Sequence, residues 1–191
     1  PQVWEKINMR LLKRSNAWLA TVLMAVAGMA KTSPADIFVA CEGPGTIGQY
    51  TDSGATIDDS LVTGLYGAFG LAVSGSNLFV VNNGSNSIGE YTTSGASVNP
   101  SLITGLSDPE AIAISGDTIY VANRGTNSIG AYTTSGDPIN PSLITGLSQP
   151  EGIAVNGTDI FVTNYYSGTS GKYTSSGDVG DTALISGLGQ Y

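Results

Sequence analysis

Residues 99–116 read NPSLITGLSDPEAIAISG, and residues 140–157 read NPSLITGLSQPEGIAVNG. The phrase returns after 41 residues, and the same spacing governs everything from Asp36 onward. Shifts of 41 align Phe38, Phe79, Tyr120 and Phe161, and likewise Tyr50, Tyr91, Tyr132 and Tyr173. Gly48, Gly89, Gly130 and Gly171 fall in register too, as do Gly64, Gly105, Gly146 and Gly187. Four copies without a slip are an internal repeat, and a period of this length marks stacked supersecondary units.

Each copy divides into four short runs. In one of them AIAIS (111–115) and TIYVA (118–122) are separated by Gly116-Asp117, SIGAYTT (128–134) follows the turn at 123–127, and INPSLIT (139–145) follows Ser135-Gly136-Asp137-Pro138. Runs this short, rich in Ile, Val, Tyr and Thr and punctuated by Gly, Asn and Asp, read as consecutive hairpins. No stretch after residue 36 carries a helical apolar period of useful length. Four antiparallel strands per repeat of about 40 residues predict an all-β fold, a β-propeller of four blades at 36–69, 70–110, 111–151 and 152–191. The repeated aromatic positions are expected between blades, because one blade cannot bury both faces of its sheet alone. The first blade opens on DIFVA (36–40), a second-strand sequence, and so lacks an inner strand of its own.

The stretch PEGIAV–NGTD–IFVTN, followed by a turn and Tyr173, resembles the NHL-type repeat and is similar to YVTN-type surface-layer repeats. That resemblance covers 36–191. It implies a propeller fold with the Pro-x-Gly-Ile-Ala-Val run as inner strand, and it leaves function open, since such propellers serve as scaffolds, binding modules and enzymes. Resembling proteins usually carry six or seven blades. The four copies are therefore expected to be the front of a longer ring, whose open blade edges are sites for self-association; the alternative is a four-bladed ring lacking one inner strand.

Composition narrows the function. From Asp36 onward two basic residues, Arg124 and Lys172, stand against fourteen acidic ones, a net charge of −12. Such a surface repels nucleic acid and anionic lipid. The chain has no histidine, which excludes Ser-His-Asp and Cys-His catalysis and histidine-ligated zinc. The histidine acid of streptogramin-lyase-like propellers is excluded with them. Cys41 is the one cysteine, so no intrachain disulfide forms, and its apolar setting predicts a buried, inert thiol. Basic residues up to Lys13-Arg14, the apolar run Ala17–Ala30 and then Ser33-Pro34-Ala35 have the layout of a secretory signal peptide cleaved before Asp36. Residues 1–8 lie upstream of it. Fourteen apolar residues fall short of the roughly 20 needed to span a bilayer, so no stable membrane span is expected after cleavage.

Glu110 and Glu151 are the candidate site residues. They precede the inner strands of adjacent blades, which places them at one mouth of the central channel. In calcium-dependent sugar-lactone hydrolases of similar fold, a Glu or Asn in this place helps hold the metal, so the resemblance makes the pair candidate Ca²⁺ ligands. The corresponding residue of the preceding copy is Phe69, however. Asn82, Asn123 and Asn164 each end a second strand, where Asn is expected to close an Asx-turn onto backbone two residues ahead. These features predict a secreted, periplasmic or cell-surface module that binds a protein or carbohydrate without catalysis. The alternative is a calcium-dependent lactonase-like hydrolase or lyase.

Overall fold

The computed structural model describes residues 24–26 and 36–189. They form four four-stranded antiparallel sheets and one three-residue 3₁₀ turn at Asn83–Ser85. The first sheet holds β1 (Met24–Val26), β2 (Ile37–Cys41), β3 (Thr46–Tyr50) and β4 (Thr56–Val62); the second holds β5 (Ala68–Ser74), β6 (Asn77–Asn82), β7 (Ser87–Thr92) and β8 (Ser97–Ile103). The third is β9 (Pro109–Ser115), β10 (Thr118–Asn123), β11 (Ser128–Thr133) and β12 (Pro138–Ile144). The fourth is β13 (Pro150–Asn156), β14 (Asp159–Asn164), β15 (Thr169–Thr174) and β16 (Val179–Ile185). Strand order follows chain order in every sheet.

One expectation needs correction. The first sheet does have an inner strand, since Met24, Ala25 and Val26 pair with Val39, Phe38 and Ile37. Three apolar residues supply the backbone partners that the β2 edge would otherwise lack. They belong to the run read as the core of an export signal; the rest of that segment, with the upstream residues, lies outside the described residues. The two uses exclude each other within one molecule, because a chain cleaved before Asp36 loses β1.

Adjacent sheets pack through their inner and second strands, β5 against β9 and β9 against β13. Three apolar cores result, one per junction. Phe38, Ala40, Ile47 and Val62 of the first sheet meet Leu78, Val80 and Tyr91 of the second. Phe79, Val81, Ile88 and Ile103 meet Ile119, Val121 and Tyr132 in the same way, and Tyr120, Ala122, Ile129 and Ile144 meet Ile160, Val162 and Tyr173. Strand alternation explains the sorting: within β6, Phe79 and Val81 face the following blade while Leu78 and Val80 face the preceding one. Among the described residues, no junction of comparable extent joins the fourth sheet to the first. As described, residues 36–189 form an open arc of four blades.

The recurring Gly-x-Tyr pair has a steric cause. Residues two apart on a strand share a face, and each tyrosine ring folds back over the glycine. A Cβ on Gly130 would lie 2.8 Å from the Tyr132 ring and 3.0 Å from the Pro141 carbonyl oxygen, and Gly48, Gly89 and Gly171 meet their own tyrosines at the same 2.8 Å. Gly130→Ala is therefore expected to cost about 1–3 kcal/mol, the usual range for overpacking. A thermal melt checks it; an unchanged midpoint would show that the ring swings away freely.

Candidate functional site

The residues at the mouth of the arc are positioned by two local devices. The first is a β-bulge at the start of the inner strands β5, β9 and β13. Pro109 and Ala111 pair with Asn123 and Ala122, which leaves Glu110 as the extra residue. Pro150 and Gly152 pair with Asn164 and Thr163, leaving Glu151. Bulges re-aim side chains out of the alternation of a strand, and here both glutamates are left free to reach Arg124.

The second device is the turn after each second strand, whose backbone binds the linker arriving from the preceding blade. Asn83 N donates to Gly67 O, Arg124 N to Asp108 O and Tyr165 N to Gln149 O, at 2.8, 3.0 and 3.0 Å. The strand-end asparagines reinforce the linker. Asn123 Oδ1 accepts from Ser107 N and Asn164 Oδ1 from Ser148 N, 3.4 and 3.1 Å. They reach 16 residues back along the chain, whereas an Asx-turn would reach two ahead. Asn82 Oδ1 is buried without such a partner, and Tyr66 stands in that linker where the other two have Ser107 and Ser148. The Tyr66 ring, 72% exposed, lies over Gly84.

The first residue of the turn is where the copies part company: Glu42, Asn83, Arg124 and Tyr165 occupy equivalent positions. Asn83 Nδ2 donates to Asp108 Oδ1 at 2.8 Å, crossing from the second blade to the third. Arg124 Nη1 lies 3.3 Å from Asp108 Oδ2 and 4.0 Å from Glu110 Oε1, while its Nε faces Glu151 Oε1 at 3.5 Å. A polar chain, Asn83–Asp108–Arg124–Glu151, thus joins three blades. Glu110 is its most enclosed acid. Burial pushes its carboxyl up to about 7, aided by the charges of Asp108, Glu151 and Glu42 and opposed by Arg124. Burial likewise raises the phenols of Tyr91, Tyr132 and Tyr173 between the blades.

Glu110 and Glu151 therefore both lie against one guanidinium, that of Arg124. Calcium takes six to eight oxygens. As folded, the pair offers two carboxylates already joined to Arg124, and the described residues hold no group of three or more His, Cys, Asp or Glu arranged for a metal. This donor set does not fit Ca²⁺. Cys41, equivalent to the three asparagines, is half-buried rather than buried. Beside the polar chain lies a cavity of about 670 Å³ lined by Glu42, Leu65, Tyr66, Phe69 and Asn83 among others. Its size falls in the range of small-ligand sites. Arg124 and the cavity were not legible as a site, because a single basic residue in a turn follows no pattern.

No known protein family matches the chain, and no curated protein does. Solved structures do resemble it. A streptogramin B lyase superposes with a TM-score of 0.65 at 18% identity over 90% of this chain and 57% of that one. A catalytically inactive variant of virginiamycin B lyase from Staphylococcus aureus with quinupristin gives 0.64, 18%, 90% and 59%. The computationally designed Ika8 protein gives 0.56, 13%, 86% and 51%. The chain thus spans a little over half the length of these proteins. At such identities the likeness concerns fold alone, and together with the four sheets it shows a β-propeller of four blades.

Proposed function

We propose that the chain is a non-catalytic binding module, exported or displayed at the cell surface, whose ligand seats on the acidic mouth of the arc. One observation carries this reading. Where the frame repeats closely, the mouth does not: Glu42, Asn83, Arg124 and Tyr165 differ in charge and shape, and Phe69 stands where the next two copies have Glu110 and Glu151. A surface that only stacked blades would have no use for one-off chemistry at a single rim. The carboxylates with Tyr66 and Phe69 suit a ligand that joins a cationic group to a flat apolar face, such as an amino sugar or a basic peptide segment.

The test is calorimetric titration of the full chain with two probes, glucosamine oligomers and a Lys/Tyr-containing peptide, each against its acetylated, uncharged form. Binding of a cationic probe that weakens at least tenfold in Glu42→Lys with Glu151→Lys supports the site. Binding indifferent to these changes, or to probe charge, removes it.

The calcium-dependent hydrolase is the weaker reading, because Arg124 already holds Glu110 and Glu151. A metal ion would have to displace Arg124 and recruit further oxygens. A real site would raise the thermal midpoint with calcium over EDTA by mass action. No shift, with or without Glu110→Gln and Glu151→Gln, ends that reading.

A further inference from the structure

We propose that the two open faces of the arc are halves of one interface, and that two copies of the chain dock head to tail through them to close an eight-bladed ring. The chain itself supplies the template three times. At every internal junction the leading blade presents an aromatic residue, two β-branched residues and a leucine; the following blade answers with two aliphatic residues and a tyrosine.

Both end faces carry much of this set with no cover among the described residues, although on the fourth blade Thr163 takes the place of Ala40, Val81 and Ala122, and Ser170 that of Ile47, Ile88 and Ile129. On the fourth blade Ile185 is 52% exposed and Leu188 43%, whereas Ile103 and Ile144 are 4% and 2% exposed and Leu106 and Leu147 8% each. Thr163 is exposed and Phe161 half-buried, although their equivalents Val81, Ala122, Phe79 and Tyr120 are all buried. On the first blade Ile37, Val39 and Tyr50 are half-buried, while the matching Leu78, Val80 and Tyr91 are buried. The glycines of the outer turns repeat the point. Gly95, Gly136 and Gly177 each lie against the carbonyl of Leu61, Leu102 or Leu143 from the preceding blade. Gly54 has nothing within 4 Å, and its missing counterpart, Leu184, is 48% exposed at the other end of the arc.

Charge does not forbid the contact. Lys172 on the fourth-blade face is paired within its own sheet to Asp159 at 2.8 Å. The equivalent Glu90 is paired to Asn77 at 2.7 Å and sits inside a formed junction, 9% exposed. A heterologous contact that uses one face of each kind closes a ring when its rotation divides a full turn. The chain spans 51% to 59% of three resembling structures, about the half-turn that each of two copies would supply, and 93% of the designed Ika4 protein.

The test is the absolute mass of the full chain by light scattering on a sizing column at micromolar concentration, with two variants. Val39→Glu alters only the first-blade face, and Thr163→Lys only the fourth-blade face, at half-buried and exposed positions that a lone arc tolerates. The wild-type chain is expected at twice 19.5 kDa, each variant at the single mass with an unchanged β-sheet spectrum, and their equimolar mixture again at twice the mass. The mixture pairs because one of its two junctions is then wild type and the other joins Glu to Lys. A monomeric wild type overturns the proposal, as does an open-ended series of larger species. So does a Val39→Glu dimer, which would mean like faces pairing, or a mixture that stays monomeric.

Discussion

Phe79→Ala is expected to destabilise the chain by about 3–5 kcal/mol, the usual cost of emptying an aromatic site in a core. Phe79 is 1% exposed and joins the second blade to the third, so the cavity opens in the middle of the arc. Phe161→Ala, the same substitution two repeats later, should cost roughly half as much or less in a dilute chain, since Phe161 is only half-buried at an open face and loses less transfer energy. Urea unfolding at low concentration gives both values. Equal losses would mean that the fourth blade is as well covered as the second. Raising the protein concentration should increase the cost of Phe161→Ala alone if the end faces dock, because the side chain then leaves water.

Glu110→Gln is expected to stabilise the protein, and increasingly so as pH rises. The carboxyl titrates at about 7 in the folded chain against an ordinary value of 4.5. An acid with a raised folded pKa binds more protons folded than unfolded, so stability falls as pH climbs from about 4.5 to about 7 and then levels off. The full penalty approaches about 3 kcal/mol at ~1.4 kcal/mol per pH unit, as an upper figure that the opposing charge of Arg124 already tempers. Between pH 5.5 and pH 8 the advantage of the glutamine should grow by about 2 kcal/mol. Denaturant unfolding of both proteins at those two pH values decides it. A shrinking advantage would mean that Arg124 holds Glu110 ionised and that burial is the lesser influence.

The fold was legible because spacing is conserved within one chain. The 41-residue register located the aromatics, the glycines and three of the four inner strands. The fourth inner strand was not legible. Three apolar residues inside Ala17–Ala30 look the same whether they feed an export signal or complete a sheet, and only the open edge of β2 distinguishes the uses. Glu110 and Glu151 were placed at the mouth by their position before the inner strands. The bulge that takes them out of the strand's alternation follows from pairing, which a single strand does not reveal. The partner of both, Arg124, lies 14 residues beyond one and 27 before the other; their meeting depends on neighbouring blades coming together. The asparagines were read by their commonest local habit, whereas the linker, a non-local partner, claims Asn123 and Asn164.

The way each linker is tied to the blade that follows it bears on how the protein is made. Linker 104–108 is anchored by the turn at Arg124-Gly125, which leaves the ribosome well after it. Each blade therefore finishes its leading face only when its successor has been synthesised. At every stage the nascent chain ends in one sheet whose aromatic row, Phe38, then Phe79, then Tyr120, awaits cover. Assembly is thus directional, with stability gained one junction at a time. A synthesis pause placed just after any blade would expose an apolar, partly paired sheet of the kind that aggregates or recruits a holdase. Pulsed proteolysis of stalled chains of increasing length should show protection arriving in steps of one repeat, each step lagging its own blade by the length of the next second strand and turn.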